Sequence, residues 1–97
     1  MQKAEAIAQL KRHAEPIKAF GATSLYLFGS VARDEAQAHD LDLFIDYDRE
    51  SRFNAFDLVG IKQYLEQTLG VEVDVTTRDG LHPMLRSAIE RSAVRVF

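Results

Sequence analysis

Residues 40–48 read DLDLFIDYD, and no other stretch limits the fold as tightly. Successive side chains of a strand point to opposite faces. Asp40 and Asp42 therefore lie on one side, and Leu41, Leu43 and Ile45 on the other. One face of this strand has to be buried while the other meets something wet, which requires a sheet covered by helices on one side. With 97 residues and 46% hydrophobic content the chain can fill one core, and the reading is a single domain over residues 1–97. The absence of cysteine excludes disulfides, thiolate zinc sites and cysteine nucleophiles together, so stability rests on packing.

The remaining elements follow from periodicity. Ile7, Leu10, Ala14 and Ile17 recur at spacings of three and four, which predicts a helix over about residues 3 to 19, kinked or interrupted by Pro16 and ended by Gly21. The apolar run Ser24 to Phe28 predicts a strand leading into Gly29, followed by a short helix or turn from Ser30 to about Glu35. Asn54, with Asp57 three positions on, marks a helix start, and Gly70 sits where a left-handed cap belongs. Between them Leu58, Ile61, Leu65 and Leu69 form the apolar stripe. Gly60 inside that stripe costs roughly 1 kcal/mol relative to alanine. Val71, Val73 and Val75 alternate with Glu72, Asp74 and Thr76 as a third strand. A last helix is expected from Pro83 to about Arg91, with AVRVF closing the chain as a short strand. The fold class is α+β, with a small mixed or antiparallel sheet of three to four strands and helices packed on one side.

A formal charge of −3 with scattered basic residues argues against a protein that coats nucleic acid, which needs clustered Lys and Arg. The first residues carry charge every few positions and lack the apolar core of a signal peptide or membrane span. The expectation is a cytoplasmic protein without a membrane partner.

The chemistry gathers in LFGSVAR and HDLDLFI. Asp40 and Asp42 project from one strand face about 7 Å apart along the backbone. Such a pair repels in open solvent, but it suits Mg²⁺, which takes oxygen donors from one or two carboxylates, substrate phosphates and water. Asp74, on the polar face of the third strand, is the natural third carboxylate of a two-metal site for in-line displacement. Gly29 permits close backbone approach to a phosphate, and Ser30 adds a hydroxyl at a helix start. Arg33, one turn later, can bring a guanidinium to the same phosphates.

In order and spacing, LFGSVAR, HDLDLFI and VEVDVTT resemble the Gly-Ser, Asp-x-Asp and third-Asp motifs of the DNA polymerase beta-like nucleotidyltransferase superfamily. The small size points to its minimal nucleotidyltransferase (MNT) branch. The resemblance spans nearly the whole chain and implies a polymerase beta palm-like fold. It implies that Asp40 and Asp42 ligate Mg²⁺, that Asp74 completes the site and helps deprotonate an acceptor hydroxyl, and that Gly29 and Ser30 hold ATP. It also implies a HEPN-domain toxin as partner, with the MNT protein as the antitoxin that transfers AMP to a tyrosine of that toxin. His39 stands where family members carry serine or another small residue.

Duller readings accompany each feature. Gly29-Ser30 alone fits an ordinary strand-to-turn junction, and the aspartates fit a charged edge strand that resists aggregation. Arg33 has Asp34 and Glu35 beside it as surface partners. Asp46 and Asp48 read as a solvated strand end, His13 and His82 as surface residues, and His39 as a loop residue whose charge tunes the site. Two other functions compete with transfer to a toxin: a binding protein that neutralises its partner sterically, and an antibiotic-modifying nucleotidyltransferase. Ninety-seven residues leave the latter little room for a small-molecule pocket.

Overall fold

The structure is a computed structural model that describes residues 1–38 and 40–97; the expectation for His39 lies outside the described residues. Its helical start is two pieces, α1 (Lys3–Arg12) and α2 (Ala14–Ala19). Pro16 dictates the break. A proline ring collides with the carbonyl four residues back, here that of Arg12, so α1 stops there and Pro16 falls in the first turn of α2, where its missing N–H is not needed. His13, at the break, is half-buried with its Nδ1 2.8 Å from the Tyr64 hydroxyl, and so is not the surface residue expected.

Strand β1 (Ala22–Phe28) runs into the single turn of α3 (Gly29–Ala32), and β2 (Leu41–Tyr47) into α4 (Ala55–Leu69). Helix α4 has the expected ends. The Asn54 side chain accepts from the Phe56 and Asp57 N–H groups while Asp57 accepts from the Asn54 N–H, and Gly70 closes the helix at φ 69°. Gly60 has a tertiary reason: a Cβ there would lie 2.6 Å from the Phe20 ring, so the glycine lets that ring sit against the helix.

Strand β3 (Val73–Thr77), a 3-10 turn (Arg78–Gly80), α5 (Arg86–Ser92) and β4 (Val94–Arg95) complete the chain. Helix α5 starts three residues after Pro83, later than expected. The sheet order is β3-β2-β1-β4. Strand β1 is antiparallel to β2 and β4, whereas β2 and β3 are parallel, which requires the long α4 crossover between them.

The alternation of β2 does what the sequence demands. Leu25 and Leu27 of β1, Leu41, Leu43 and Ile45 of β2, and Val73 of β3 are buried with Leu10, Ile17, Ile61 and Leu65 of α1, α2 and α4. Each such aliphatic side chain contributes roughly 1.5–3 kcal/mol when removed from water. The opposite face carries Tyr26 stacked on Phe44 at 4.6 Å. Arg78 lies 4.9 Å over both rings and donates to Glu90 at 2.6 Å, which ties α5 to this second face. Asp46 belongs to the same cluster, taking 2.8 and 3.0 Å hydrogen bonds from Arg78, and is half-buried where a solvated strand end was expected.

Candidate active site

The pairing register brings the sequence-predicted residues together. Asp42 is the partner of Phe28 across β1/β2 and of Asp74 across β2/β3, so three adjacent strands meet at this carboxylate. Asp40 is exposed one residue before β2 begins. Gly29 follows Phe28 with φ 77°, and any Cβ there would overlap the Asp42 carboxylate. Glycine at this position serves both the left-handed conformation and the close approach of turn to acid.

Asp42 is half-buried, and burial raises its pKa above the ordinary carboxylate value, with the Asp74 and Asp40 charges adding to the rise and Arg33 opposing it. Asp40, Asp42 and Asp74 line a cleft of about 420 Å³ together with Lys62 and Glu66 of α4. Among the described residues no three of His, Cys, Asp and Glu are already gathered closely enough to hold an ion. The aspartates are thus adjacent hard-oxygen donors, not a closed cage. That donor set, whose central acid is raised first by burial and then by the neighbouring carboxylates, fits a divalent cation of the Mg²⁺ type.

Ser30 is the second residue of α3 and is half-buried. The first N–H groups of any helix lack intrahelical partners. At the other end α3 is shorter than expected because Asp34 takes a left-handed φ of 56°. The Asp34 N–H donates to the Val31 carbonyl at 2.9 Å and that of Glu35 to Ser30 at 3.1 Å, the double closure that stops a helix. Arg33 is exposed at this stop, and its Nε donates to Glu35 at 2.7 Å. The surface partner expected for it is present, and Arg33 lines one cavity together with Gly29.

Lys62 and Glu66 were not singled out from the sequence. Lys62 Nζ donates to the Val73 carbonyl at 2.5 Å and to Glu66 at 3.2 Å, while Glu66 accepts the Val73 N–H at 3.1 Å. That backbone bond, with the lysine, lowers the Glu66 pKa. The only sequence signal is their opposite charge four residues apart on one helix.

A family model described as nucleotidyltransferase domain matches residues 10–96. The chain belongs to the nucleotidyltransferase domain family. A relative provisionally named protein adenylyltransferase MJ0435, from Methanocaldococcus jannaschii, is 37% identical over 93 residues, which cover 94% of this chain and 98% of the relative. A solved structure described provisionally as a minimal nucleotidyltransferase superposes with a TM-score of 0.79 at 34% identity, over 97% of this chain and 95% of that one. The fold also matches, with a TM-score of 0.67 at 14% identity over 94% of this chain and 71% of the other, a structure of a tri-AMPylated Shewanella oneidensis HEPN toxin in complex with an MNT antitoxin. The family and fold that the three motifs imply are therefore borne out, and this nucleotidyltransferase is an enzyme. No helix among the described residues is long and apolar enough to cross a membrane.

Proposed function

We propose that this nucleotidyltransferase is a protein adenylyltransferase that moves AMP from ATP to a tyrosine hydroxyl of a HEPN-domain toxin, with Mg²⁺ as cofactor, and so acts as the antitoxin. The observation that carries the reading is the register of Asp42 with Asp74 directly beside the Gly29 turn. The protein adenylyltransferase name of its relative and the AMPylated toxin in the Shewanella oneidensis complex support a toxin protein as the acceptor.

In the reaction the acceptor oxygen attacks the α-phosphorus of ATP, the bond from that phosphorus to the bridging oxygen breaks, and pyrophosphate leaves. Asp74 takes the acceptor's proton. Asp40, Asp42 and Asp74 would hold a divalent metal, which when bound would screen the phosphate charge. Gly29 and Ser30 bring backbone N–H groups and a hydroxyl to the triphosphate, and Arg33 offers it the guanidinium nitrogens that Glu35 does not use.

The test is intact-mass spectrometry of the HEPN partner after incubation with this chain, ATP and Mg²⁺, beside the Asp40→Asn, Asp42→Asn double variant. The expected result is a gain of whole AMP units with the native chain and none with the variant. A partner that is silenced without any mass gain would replace transfer by steric inhibition.

A further inference from the structure

A second cavity, of about 320 Å³, is lined by Phe28, Gly29 and Arg33 and by Leu85, Ala88, Ile89 and Ser92 of α5 and its approach, and shares no residue with the aspartate cleft. We propose that this cavity receives the nucleobase of the nucleotide, and that Ser92 selects a base bearing an exocyclic amino group. The proposal rests on the adenylyltransferase reading above, because Gly29 and Arg33 belong to both the phosphate turn and this cavity.

The chemistry of the walls supports it. Small-ligand sites are concave and mostly apolar with a few placed polar groups, and their volumes start near 300 Å³. Here Phe28, Leu85, Ala88 and Ile89 supply apolar surface for a flat ring. Leu85 is 56% exposed, an apolar residue left in solvent at the mouth of the cavity. Because Gly29 and Arg33 themselves line this cavity, a nucleotide with its phosphates at these two residues has its sugar and base within reach of it. The cleft at the aspartates is lined instead by carboxylates, Lys62 and Val73.

Ser92 supplies the selectivity. Its hydroxyl donates within the helix to the carbonyl of Ala88 at 3.1 Å or of Ile89 at 3.4 Å, which leaves its oxygen as an acceptor. An acceptor pairs with the amino group of adenine or cytosine and opposes the carbonyl of guanine or uracil at the equivalent position.

The test is calorimetric titration of the full chain in Mg²⁺ with ATP, CTP, GTP, UTP and inorganic tripolyphosphate. ATP is expected to bind about 10- to 100-fold more tightly than tripolyphosphate, the range that a base resting on an apolar wall contributes, and ATP and CTP ahead of GTP and UTP. Ala88→Phe, at an exposed helix position, fills the cavity without charge and is expected to bring the ratio of ATP to tripolyphosphate affinity close to one. Ser92→Ala is expected to erase the preference for amino-bearing bases. Equal binding of ATP and tripolyphosphate by the native chain overturns the base pocket and leaves the phosphate site standing. An unchanged ratio in Ala88→Phe together with an unchanged base preference in Ser92→Ala overturns it as well. Failure of the native chain to bind either ligand overturns the adenylyltransferase reading itself, and the pocket with it.

Discussion

Lys62 donates its ammonium group to the main-chain carbonyl of Val73 at 2.5 Å, and Glu66 one turn on accepts the N–H of the same residue. Strand β3 is the outer strand of the sheet, so both backbone groups of Val73 would otherwise face away from any partner. The two side chains act as a substitute strand, and the residue that they hold immediately precedes Asp74. On the proposed mechanism, Lys62 and Glu66 act through Val73 to position the third carboxylate. Lys62→Met is therefore expected to lower kcat for AMP transfer by roughly tenfold to a hundredfold, the scale of a small misplacement of a catalytic group, with little change in KM for ATP. Steady-state kinetics check this split, and an equal change in both constants would contradict it.

The charge on Asp42 costs stability. Its folded pKa lies above that of an unfolded aspartate because of burial and the Asp74 and Asp40 charges. The folded protein therefore binds more protons than the unfolded chain between the two values. Stability falls as pH rises through that window and stays reduced above it. Asp42→Asn removes the buried charge, so the metal-free variant is expected to melt a few degrees above the native chain at pH 7 and to be inactive. Mg²⁺ should raise the Tm of the native chain and leave the variant unmoved. Thermal melts with and without Mg²⁺ at pH 4 and 7 test both halves.

Local chemistry was legible in the sequence, and long-range reach was not. The alternation of Asp40 and Asp42 with Leu41, Leu43 and Ile45 specified the covered and open faces of β2. The Asn54, Asp57 and Gly70 caps of α4 were legible because capping uses groups within one turn. The stop at Asp34 was missed, since a non-glycine residue at positive φ leaves little sign in a sequence. His13 with Tyr64, Lys62 with Val73 and Arg78 with Asp46 are separated by 51, 11 and 32 positions. Such pairs exist only once the sheet order brings their elements together. Asp46 read as solvated for that reason, because its partner is on another element.

Gly29→Ala separates turn geometry from general stability. The residue sits at φ 77° and a Cβ would overlap the Asp42 carboxylate, so alanine has to strain the backbone and push the acid away. The strain costs about 1–2 kcal/mol, a modest part of the stability of a domain this size. The displacement of Asp42 costs activity far more, and AMP transfer is expected to fall by about a hundredfold or more. Circular dichroism melts beside a transfer assay distinguish the two losses. A variant that loses stability but keeps its turnover would show that Asp42 need not stand against the turn.

Arg78 anchors the face opposite the main core. Its Nε and one terminal nitrogen hold Asp46 as a fork, its other terminal nitrogen holds Glu90 at 2.6 Å, and its plane covers Tyr26 and Phe44. These hydrogen bonds raise the arginine pKa further and lower those of Asp46 and Glu90. Removing a mostly buried arginine strands a half-buried carboxylate and uncovers two rings, so Arg78→Ala is expected to cost about 2–3 kcal/mol, or roughly 10–20 °C in Tm. Arg78→Lys should recover only part of this, since a point charge cannot reproduce the fork. The sign of the pH dependence follows from the depressed carboxylates: their contribution is present above the unfolded carboxylate pKa and is lost as pH falls through the folded values. Urea unfolding of the native chain and Arg78→Ala should therefore differ most near pH 7 and converge in acid. A gap that persists unchanged below pH 3 would assign the role of Arg78 to ring packing alone.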